Sequence, residues 1–332
     1  VLGRSFGCFK KLIHLKNYPL RDTVIVKRFF KTASDIIETK NITTVVASCN
    51  PIESVVAGAL LKEKYPDLHT VYYSLDTLSN ERGYGILPES FRSKSGLRNE
   101  IKYFSVFDQV ILMNCHKEHY SKDIFSEFRD KIEFADFPLF EPNIMSSKQF
   151  ERSYQIVYTG YLHKVMRNPR PAIEILKPIL DKYTLHFYIR GDCDDIIGEY
   201  VSKYRIVNHG FVAHNEAQSA IQKADVLLSI GNAETAMAPS KIYEYISTGK
   251  PIIHVYTYDI DPCLPILRKY GNALCIKAGD VNNNEKVMQF FEHIHPVPIS
   301  VMKDVFLEST PAYTIGLILN KQDKKQKDKQ KV

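Results

Sequence analysis

The strongest constraint on the fold is an alternation of short β-rich runs with helical patterns, which begins at residue 154. Such alternation is typical of a parallel sheet with helices on both faces, because parallel strands need crossover connections. The predicted strands are Tyr154–Thr159, Leu185–Ile189, Arg205–Asn208, Val226–Ile230, Ile252–Val255 and Ala273–Ile276, with helices near 170–182, 194–203, 215–223, 240–248 and 283–293. We therefore expect one doubly wound α/β domain in this part of the chain.

The first half of the chain repeats this rhythm more weakly. It predicts a helix near 27–39, strand Thr44–Ala47, helix Ile52–Lys64, strand Thr70–Ser74, helix Lys94–Phe104 and strand Gln109–Met113. Pro138, Pro142 and the polar residues 145–148 interrupt the periodicity, which indicates a linker. The expected fold class is therefore α/β, with two Rossmann-like doubly wound domains that face each other across a cleft.

These patterns set the expected domain boundaries. We predict an N-terminal domain over 1–143, a linker over 144–150, a C-terminal domain over 151–320 and a tail over 321–332. The tail has Lys, Gln and Asp but no apolar residue before Val332, so we expect a solvated coil. The chain opens with Val1 and its first clear strand arrives near residue 43, so we expect the N-terminal domain to lack its first elements.

The formal net charge of +6 is concentrated at the two ends of the chain. Residues 321–332 carry six lysines against two aspartates, and residues 1–31 carry eight basic residues against one aspartate. The remaining residues are therefore slightly acidic. Since a nucleic-acid-binding domain concentrates basic residues on a folded face, we expect no nucleic-acid partner.

The six cysteines lie far apart and form no CxxC pair. This spacing fits neither a cysteine-rich zinc site nor a disulfide framework, and it favours reduced thiols in a cytoplasmic protein. The chain also has no run of about 18 apolar residues that would span a membrane. His116 and His119 would share a helical face, but no carboxylate or cysteine completes a ligand set, so we expect solvated histidines and no metal.

Residues 224–245 combine a buried-strand pattern, a loop and the start of a helix. Pro239 and Ser240 suit a helix start, where free backbone N–H groups bind anions at the carboxyl edge of a sheet. Lys241 adds a positive charge, and Glu244 lies one turn later, where it can accept hydrogen bonds from vicinal hydroxyls. These residues predict a site for a diphosphate and a ribose. In the alternative interpretation, Ser240 caps the helix while Lys241 and Glu244 form an exposed ion pair.

The residues that follow Glu244 favour the interpretation as a site for a diphosphate and a ribose. Gly249 ends the helix and Pro251 opens a buried strand, which gives the run PSKIYEYISTGKPII over residues 239–253. This run resembles the nucleotide-sugar-binding domain of GT-B glycosyltransferases, specifically those like glycosyltransferase family 4. Further matching segments are Tyr158-Thr159-Gly160, Arg167-Asn168-Pro169, Gly191-Asp192 and His209-Gly210-Phe211-Val212. The resemblance covers about 154–290 well and 43–137 more weakly.

The resemblance implies a role for each matching residue. It places the donor on Gly160, Arg167, Phe211, Val212, Ser240, Lys241 and Glu244, with Phe211 and Val212 at the base. Arg167 and Lys241 would steady the departing diphosphate, since fixed cations stabilise developing negative charge. His163 and Lys164 lie in the same loop as Arg167 and could share its role. For Phe211 the alternative is a buried side chain that closes a strand.

Two departures from the family pattern affect the expected catalysis. The family has two glutamates eight positions apart that frame the donor, but position 236 of this chain is Ala. Glu234 is the nearest acid, and we expect either Glu234 or the backbone of the loop to act in its place. The Gly-rich loop that follows the first N-terminal strand in the family has no counterpart in this sequence.

The expected activity is transfer of a sugar from a nucleotide-sugar donor to a glycan or lipid-linked acceptor in bacterial surface polysaccharide assembly. The resemblance implies retention of anomeric configuration, no metal and no cofactor besides the donor substrate. The basic ends would add a peripheral contact with an anionic membrane at its inner face. Two alternatives stay open: a non-catalytic GT-B accessory or partner-binding subunit, and a sugar-nucleotide epimerase of the same architecture.

Overall fold

The computed structural model describes residues 22–79, 88–140, 154–232 and 240–329. The chain divides into two compact units, one formed by Val1–Pro138 with Glu308–Val332 and the other by Leu139–Leu307. Each unit has its own parallel sheet. Among the helices in the described ranges, none is both long enough and apolar enough to cross a lipid bilayer.

The first unit contains a four-stranded sheet in the order β1-β2-β3-β4, and all its strand pairs are parallel. Its elements are α1 (Thr23–Lys40), β1 (Thr44–Ser48), α2 (Ile52–Lys64), β2 (His69–Ser74), α3 (Glu89–Val106), β3 (Gln109–Met113), α4 (Lys117–Tyr120) and β4 (Ile132–Ala135). Short 3-10 turns occur at Asn114–His116 and Asp123–Phe128.

The central strand β3 of this unit is buried along its whole length, as a parallel strand covered on both faces should be. On one face, Val110 belongs to the apolar core formed with α2 and α3. Gly58 of α2 packs so tightly there that a Cβ atom would lie 2.9 Å from the Cβ of Ala47. On the other face, Leu317 packs against the buried cluster that includes Ile111. The sheet is therefore closed on both sides within the first unit.

The second unit contains a six-stranded parallel sheet in the order β10-β9-β8-β5-β6-β7. Its elements are β5 (Gln155–Leu162), α5 (Arg170–Leu176), β6 (Thr184–Gly191), α6 (Asp194–Val201), β7 (Ile206–Gly210), α7 (His214–Lys223), β8 (Val226–Ile230), α8 (Lys241–Ile246), β9 (Ile252–Tyr256), α9 (Cys263–Tyr270), β10 (Ala273–Lys277), α10 (Asn283–Glu292) and α11 (Ile299–Val305). A 3-10 turn at Lys177–Ile179 follows α5. This is the doubly wound α/β fold that the sequence predicts.

The predicted strands and helices agree with the structure to within a few residues. Val226–Ile230 and Ile52–Lys64 match residue for residue. The sequence missed the strand β4 and the helices α4, α9 and α11. β4 and α4 have only four residues each, and α9 and α11 begin directly after a proline. The predicted linker over 144–150 lies outside the described residues.

The C-terminal segment differs from the sequence prediction. A helix, α12, spans Pro311–Lys329, where residues 321–329 were expected to be coil. This helix belongs to the first unit, whereas the predicted C-terminal domain continued to residue 320. The packing of Leu317 and the hydrogen bond from Gln109 to the Leu317 carbonyl (3.1 Å) anchor its start. Lys and Gln have high helix propensity, so the helix continues beyond the packed segment.

The two histidines predicted to be solvated are withdrawn from solvent in the first unit, His116 fully and His119 partly. His116 is only 5% exposed. The Nε2 atom of His119 lies 2.9 Å from the Ser79 hydroxyl, which also donates a 2.6 Å hydrogen bond to the buried carboxylate of Glu100. The expectation was wrong because the 3-10 turn after β3 turns this segment inward, toward the loop that follows β2.

Candidate functional site

The sheet of the second unit has a topological switch point between β5 and β8. The chain runs outward from β5 through β6 to β7 and then returns to place β8 on the other side of β5. Ligands of open α/β sheets bind at such a point, outside the carboxyl ends of the strands. β5 and β8 pair only at Ile156↔Val226 and Val157↔Leu227. We call the space beyond these pairs, bordered by Gly160 and Gly231, the switch-point crevice.

Helix α8 is fixed beside this crevice by a buried tyrosine. The Tyr245 hydroxyl accepts a 2.8 Å hydrogen bond from the backbone N–H of Thr159 and lies 3.2 Å from the Thr159 hydroxyl. Burial raises the pKa of Tyr245, so its hydroxyl stays neutral. The contact fixes α8, the helix that carries Lys241 and Glu244, beside β5.

Arg167 spans the crevice from the β5 side to the β8 side. A short antiparallel bridge between His163 and Arg167 forms the turn that carries it. Its Nε and Nη2 atoms donate to the Asn232 side-chain oxygen at 3.0 and 2.6 Å, and its Nη1 atom donates to the Tyr161 carbonyl at 3.2 Å. Asn232 follows β8, so these hydrogen bonds fix a positive charge where the two strands part.

Lys241 and Glu244 form the ion pair that the structural alternative predicted. Their side chains lie 2.5 Å apart, and Gln218 also donates a hydrogen bond to Glu244. Ser240 occupies the N-cap position but makes no side-chain capping hydrogen bond. The alternative interpretation is therefore wrong about Ser240, which already adopts a helical conformation and does not cap α8 through its side chain.

Phe211 lies on the surface at the carboxyl end of β7. Its side chain is 69% exposed, so it is not the buried residue that the alternative interpretation described. The Arg190 guanidinium lies 4.3 Å from the centre of the Phe211 ring, within cation–π distance. Val212 follows and is partly buried. The sequence missed Arg190, although it directly precedes the Gly191-Asp192 pair at the end of β6.

Two glycines shape the ends of β5 and β6. Gly160 has φ +142° and Gly191 has φ +131°, both in the region that favours glycine. At Gly191, a Cβ atom would lie 1.7 Å from the Leu162 carbonyl oxygen. At Gly160, by contrast, the nearest such contact is 3.6 Å away. Gly160 therefore leaves the backbone at the crevice open to close approach.

The other basic residues of the Arg167 loop lie close to acidic residues. Lys164 lies 2.5 Å from Asp195, and its backbone N–H donates to Asp192. His163 lies 3.8 Å from Asp192. These contacts favour Arg167 over its neighbours as the cation of the crevice. Glu234 lies outside the described residues, as does most of the loop that contains it.

Three buried side chains that the sequence did not single out lie beneath Gly231, where the loop after β8 begins. Among the described residues, His254, Asp261 and Cys263 are the group whose donor atoms are close enough to hold a metal ion. A Cβ atom at Gly231 would lie 2.2 Å from an Asp261 carboxylate oxygen, so this contact requires glycine. His254 lies on β9 and Cys263 begins α9, and the spacing gives no zinc motif from which to predict it.

Comparison with known proteins identifies the fold. No protein-family model and no curated protein sequence matches the chain. The crystal structure of TarM superposes with a TM-score of 0.51 at 13% identity, covering 84% of this chain and 53% of TarM. HepE of Anabaena in complex with UDP and glucose gives 0.51 at 15% identity, covering 95% and 85%. A putative UDP-N-acetylglucosamine 2-epimerase of Listeria monocytogenes gives 0.52 at 12%, covering 86% and 73%.

These similarities show that the chain has the GT-B type of α/β fold, with two Rossmann-like units, as the sequence predicts. The chain spans about half the length of TarM. The identities are too low for function to follow from the comparison, so the activity has to be argued from the site.

Proposed function

We propose that the chain transfers a sugar from a nucleotide-sugar donor to a glycan or lipid-linked acceptor. The observation that carries this proposal is Arg167, which is hydrogen-bonded to Asn232 across the switch point of the second sheet. A fixed guanidinium at the carboxyl ends of parallel strands suits an anionic ligand. HepE, which has a similar fold, was crystallised with UDP and with UDP-glucose. The donor in this proposal is accordingly a UDP-sugar.

The ion pair on α8 supplies the second part of the donor site. In this proposal the Lys241 ammonium leaves Glu244 and contacts the diphosphate, while Glu244 accepts hydrogen bonds from the ribose hydroxyls. The side chains of both residues are partly exposed, so the exchange requires no buried group to move. An exposed i, i+3 pair contributes only about 0.2–0.5 kcal/mol, which contacts with a charged ligand readily exceed.

The base-binding part of the proposal rests on Phe211. One face of its ring carries the Arg190 guanidinium, and most of its surface is exposed to solvent. An exposed aromatic ring at the end of β7 can stack on a nucleobase. With Val212 beside it, this segment would complete a donor site that runs from the base at β7 to the diphosphate between β5 and β8.

The proposed reaction passes through an oxocarbenium-like state, as glycosyl transfer generally does. Arg167 and Lys241 neutralise the charge that develops on the leaving diphosphate, so they promote departure of the leaving group. No protein nucleophile or metal enters this step, and the anomeric configuration is retained. Glu234 is the carboxylate that we propose near the reacting sugar. We place the reaction in surface polysaccharide assembly, with the basic ends of the chain at an anionic membrane surface.

Calorimetric titration with UDP, GDP and ADP tests the donor site. The Lys241→Ala variant should bind its nucleotide more weakly by about 1.5–3 kcal/mol, the range for a hydrogen bond to a charged group. Lys177→Ala is the matched control, because Lys177 also forms a 2.5 Å ion pair with a glutamate on its own helical turn. Equal affinity in the two variants would exclude Lys241 from the site. Absence of binding by all three nucleotides would favour the non-catalytic accessory subunit.

A second candidate activity, sugar-nucleotide epimerisation, is favoured by the similarity to the putative Listeria epimerase. Analysis of the reaction products distinguishes the glycosyltransferase activity from the epimerase activity. Incubation with UDP-glucose or UDP-N-acetylglucosamine and an acceptor mixture should release UDP and form a glycoside if the chain is a transferase. Conversion of the donor to its epimer, without a glycosidic product, would instead assign the epimerase.

A further inference from the structure

A buried group of three potential metal ligands lies at the carboxyl ends of β8 and β9. His254 and Cys263 are 0% exposed, and Asp261 is 4% exposed. One donor atom from each residue lies within 4.8 Å of the other two. The three residues supply nitrogen, oxygen and sulfur, the donor types that bind Zn²⁺ in proteins.

The His254 ring is oriented by a neighbour on β8. Its Nδ1 atom lies 3.0 Å from the Ser229 hydroxyl, which is also buried. A hydrogen bond at one ring nitrogen fixes the orientation of the other, and metal-bound histidines usually have such a partner. With Ser229 as the acceptor, the Nε2 atom of His254 presents its lone pair to Asp261.

The Nε2 atom is buried and makes no hydrogen bond with any described residue. It lies 3.4 Å from an Asp261 carboxylate oxygen, which is ion-pair distance if the ring carries a proton there. A lone pair that faces a carboxylate inside a protein is costly unless a proton or a cation lies between them. Bonds of about 2.0–2.1 Å from zinc to nitrogen and oxygen, at tetrahedral angles, separate the two ligands by about 3.4 Å.

The charges of the group also suit a divalent ion. A thiolate at Cys263 and a carboxylate at Asp261 neutralise Zn²⁺, and His254 binds as the neutral imidazole. The complex would therefore carry no net charge, which suits a buried site.

We propose that His254, Asp261 and Cys263 bind one Zn²⁺ ion in the folded chain. The ion would join β9 to the start of α9 beneath Gly231, where the loop after β8 begins, and a ligand other than these three side chains would fill the fourth position of its tetrahedral shell. This inference does not depend on the proposed glycosyl transfer, in which no metal takes part. The competing explanation is a proton shared between His254 and Asp261, with Cys263 as a neutral thiol.

The test uses the full chain without an affinity tag. Zinc content is measured by elemental mass spectrometry after dialysis against metal-free buffer, and again after addition of excess ZnCl₂ and gel filtration. About one zinc ion per chain is expected in the second sample. Titration with CoCl₂ should give an intense near-ultraviolet thiolate-to-cobalt charge-transfer band together with the visible bands of a tetrahedral ion.

Two ligand variants and one control assign the site. Cys263→Ser should lose the charge-transfer band, and His254→Gln should bind cobalt at least tenfold more weakly. Cys49→Ser is the control, because Cys49 is also a buried thiol but lies in the first unit. The Cys49→Ser variant should show the same charge-transfer band and the same cobalt affinity as the unsubstituted chain. Circular dichroism confirms that each variant is folded.

The unchanged chain alone can overturn the proposal, even if the variants do not fold. If the folded chain retains neither zinc nor cobalt, the proton-sharing explanation is correct. Persistence of the charge-transfer band in folded Cys263→Ser would place the ion elsewhere. Zinc should also raise the melting temperature of the unchanged chain, as a ligand specific to the folded state does. An equal rise in His254→Gln would contradict the site.

Discussion

The Tyr245 hydroxyl accepts a hydrogen bond of 2.8 Å from the backbone N–H of Thr159. β5 has already parted from β8 at this position, so the N–H group lacks a strand partner on that side. The tyrosine satisfies it from α8 and thereby fixes the helix with Lys241 to the end of β5. One side chain thus completes the backbone hydrogen bonding of the sheet and shapes the candidate donor site.

Replacing Tyr245 by Phe should destabilise the second unit by about 1–3 kcal/mol, since a buried backbone N–H would lose its partner. Urea denaturation monitored by circular dichroism measures the change. Tyr258→Phe is the control, because Tyr258 is 47% exposed, and its effect should stay within about 0.5 kcal/mol. Similar stability in the two variants would show that water replaces the hydroxyl at Thr159.

Arg167→Lys should weaken UDP binding by about 1.5–3 kcal/mol, although the positive charge is kept. A lysine cannot reproduce the guanidinium hydrogen bonds to both Asn232 and the Tyr161 carbonyl. Arg170→Lys serves as the control, because Arg170 makes paired hydrogen bonds to Glu199 on the surface. Calorimetry compares the two variants, and equal affinities would remove Arg167 from the donor site.

Gly249→Ala should destabilise the chain more than Gly271→Ala. Both glycines have positive φ, +71° and +75°, so each alanine should cost about 1–2 kcal/mol in backbone strain. At Gly249 the new Cβ would also lie 2.3 Å from the Val297 carbonyl oxygen, whereas at Gly271 no atom lies within 4 Å. We expect an additional loss of about 1–3 kcal/mol at Gly249. Thermal unfolding of both variants measures the difference, and equal losses would show that Val297 moves freely.

Lys250 should make the stability of the chain rise with pH above about pH 8. Burial lowers the pKa of Lys250 to about 8, against about 10.4 in the unfolded chain. Between these values the unfolded state binds a proton that the folded state lacks, so unfolding becomes less favourable as pH rises. The neutral amine still donates to the carbonyls of Gln222 and Ala224.

The comparison for this prediction is Lys250→Met, which keeps the length of the side chain. Urea denaturation of both proteins between about pH 7 and pH 9.5 should show a smaller increase in stability for the methionine variant, because the linked proton is gone. Parallel pH curves would mean that Lys250 stays protonated in the folded chain and bonds to the two carbonyls as an ammonium.

Two neighbouring histidines should lower stability in acid. His186 Nδ1 and His209 Nε2 lie 3.0 Å apart, and burial lowers the pKa of both imidazoles. Their stabilising effect is complete above the unfolded value of about 6.5 and falls as the unfolded state takes up protons below it. His209→Asn should therefore lose less stability than the unchanged chain between about pH 7 and pH 5. His214 is exposed, so the stability of the His214→Asn variant should depend on pH as that of the unsubstituted chain does. If the His209→Asn variant shows the same pH dependence, His186 and His209 are not the cause of the loss of stability in acid.

The positions of most strands along the chain could be predicted, because parallel strands buried on both faces are short apolar runs rich in β-branched residues. Val226–Ile230 is apolar except for Ser229, and the loop and Pro239 after it mark the end of the strand. Arg167 and Phe211 were singled out through the resemblance to GT-B glycosyltransferases, and the strand pattern placed them just after β5 and β7. Local signals thus located the candidate site along the chain.

The contacts that shape the site could not be predicted, since they join residues far apart in sequence. Asn232 lies 65 positions from Arg167, and Tyr245 lies 86 positions from Thr159. Neither partner belongs to a motif with a fixed spacing. The pairing of Lys241 with Glu244 was foreseen only as an alternative, because helix spacing permits both an ion pair and two separate ligand contacts.

The placement of α12 determines the order in which the chain can fold during synthesis. This helix covers the Ile111 face of the first sheet, yet the ribosome makes it only after all of Leu139–Leu307. The second unit is one continuous stretch, so its sheet can be complete while the first unit still exposes apolar surface. Nascent chains that end before α12 therefore lack its cover on that sheet face, and so does a fragment that stops at Pro138.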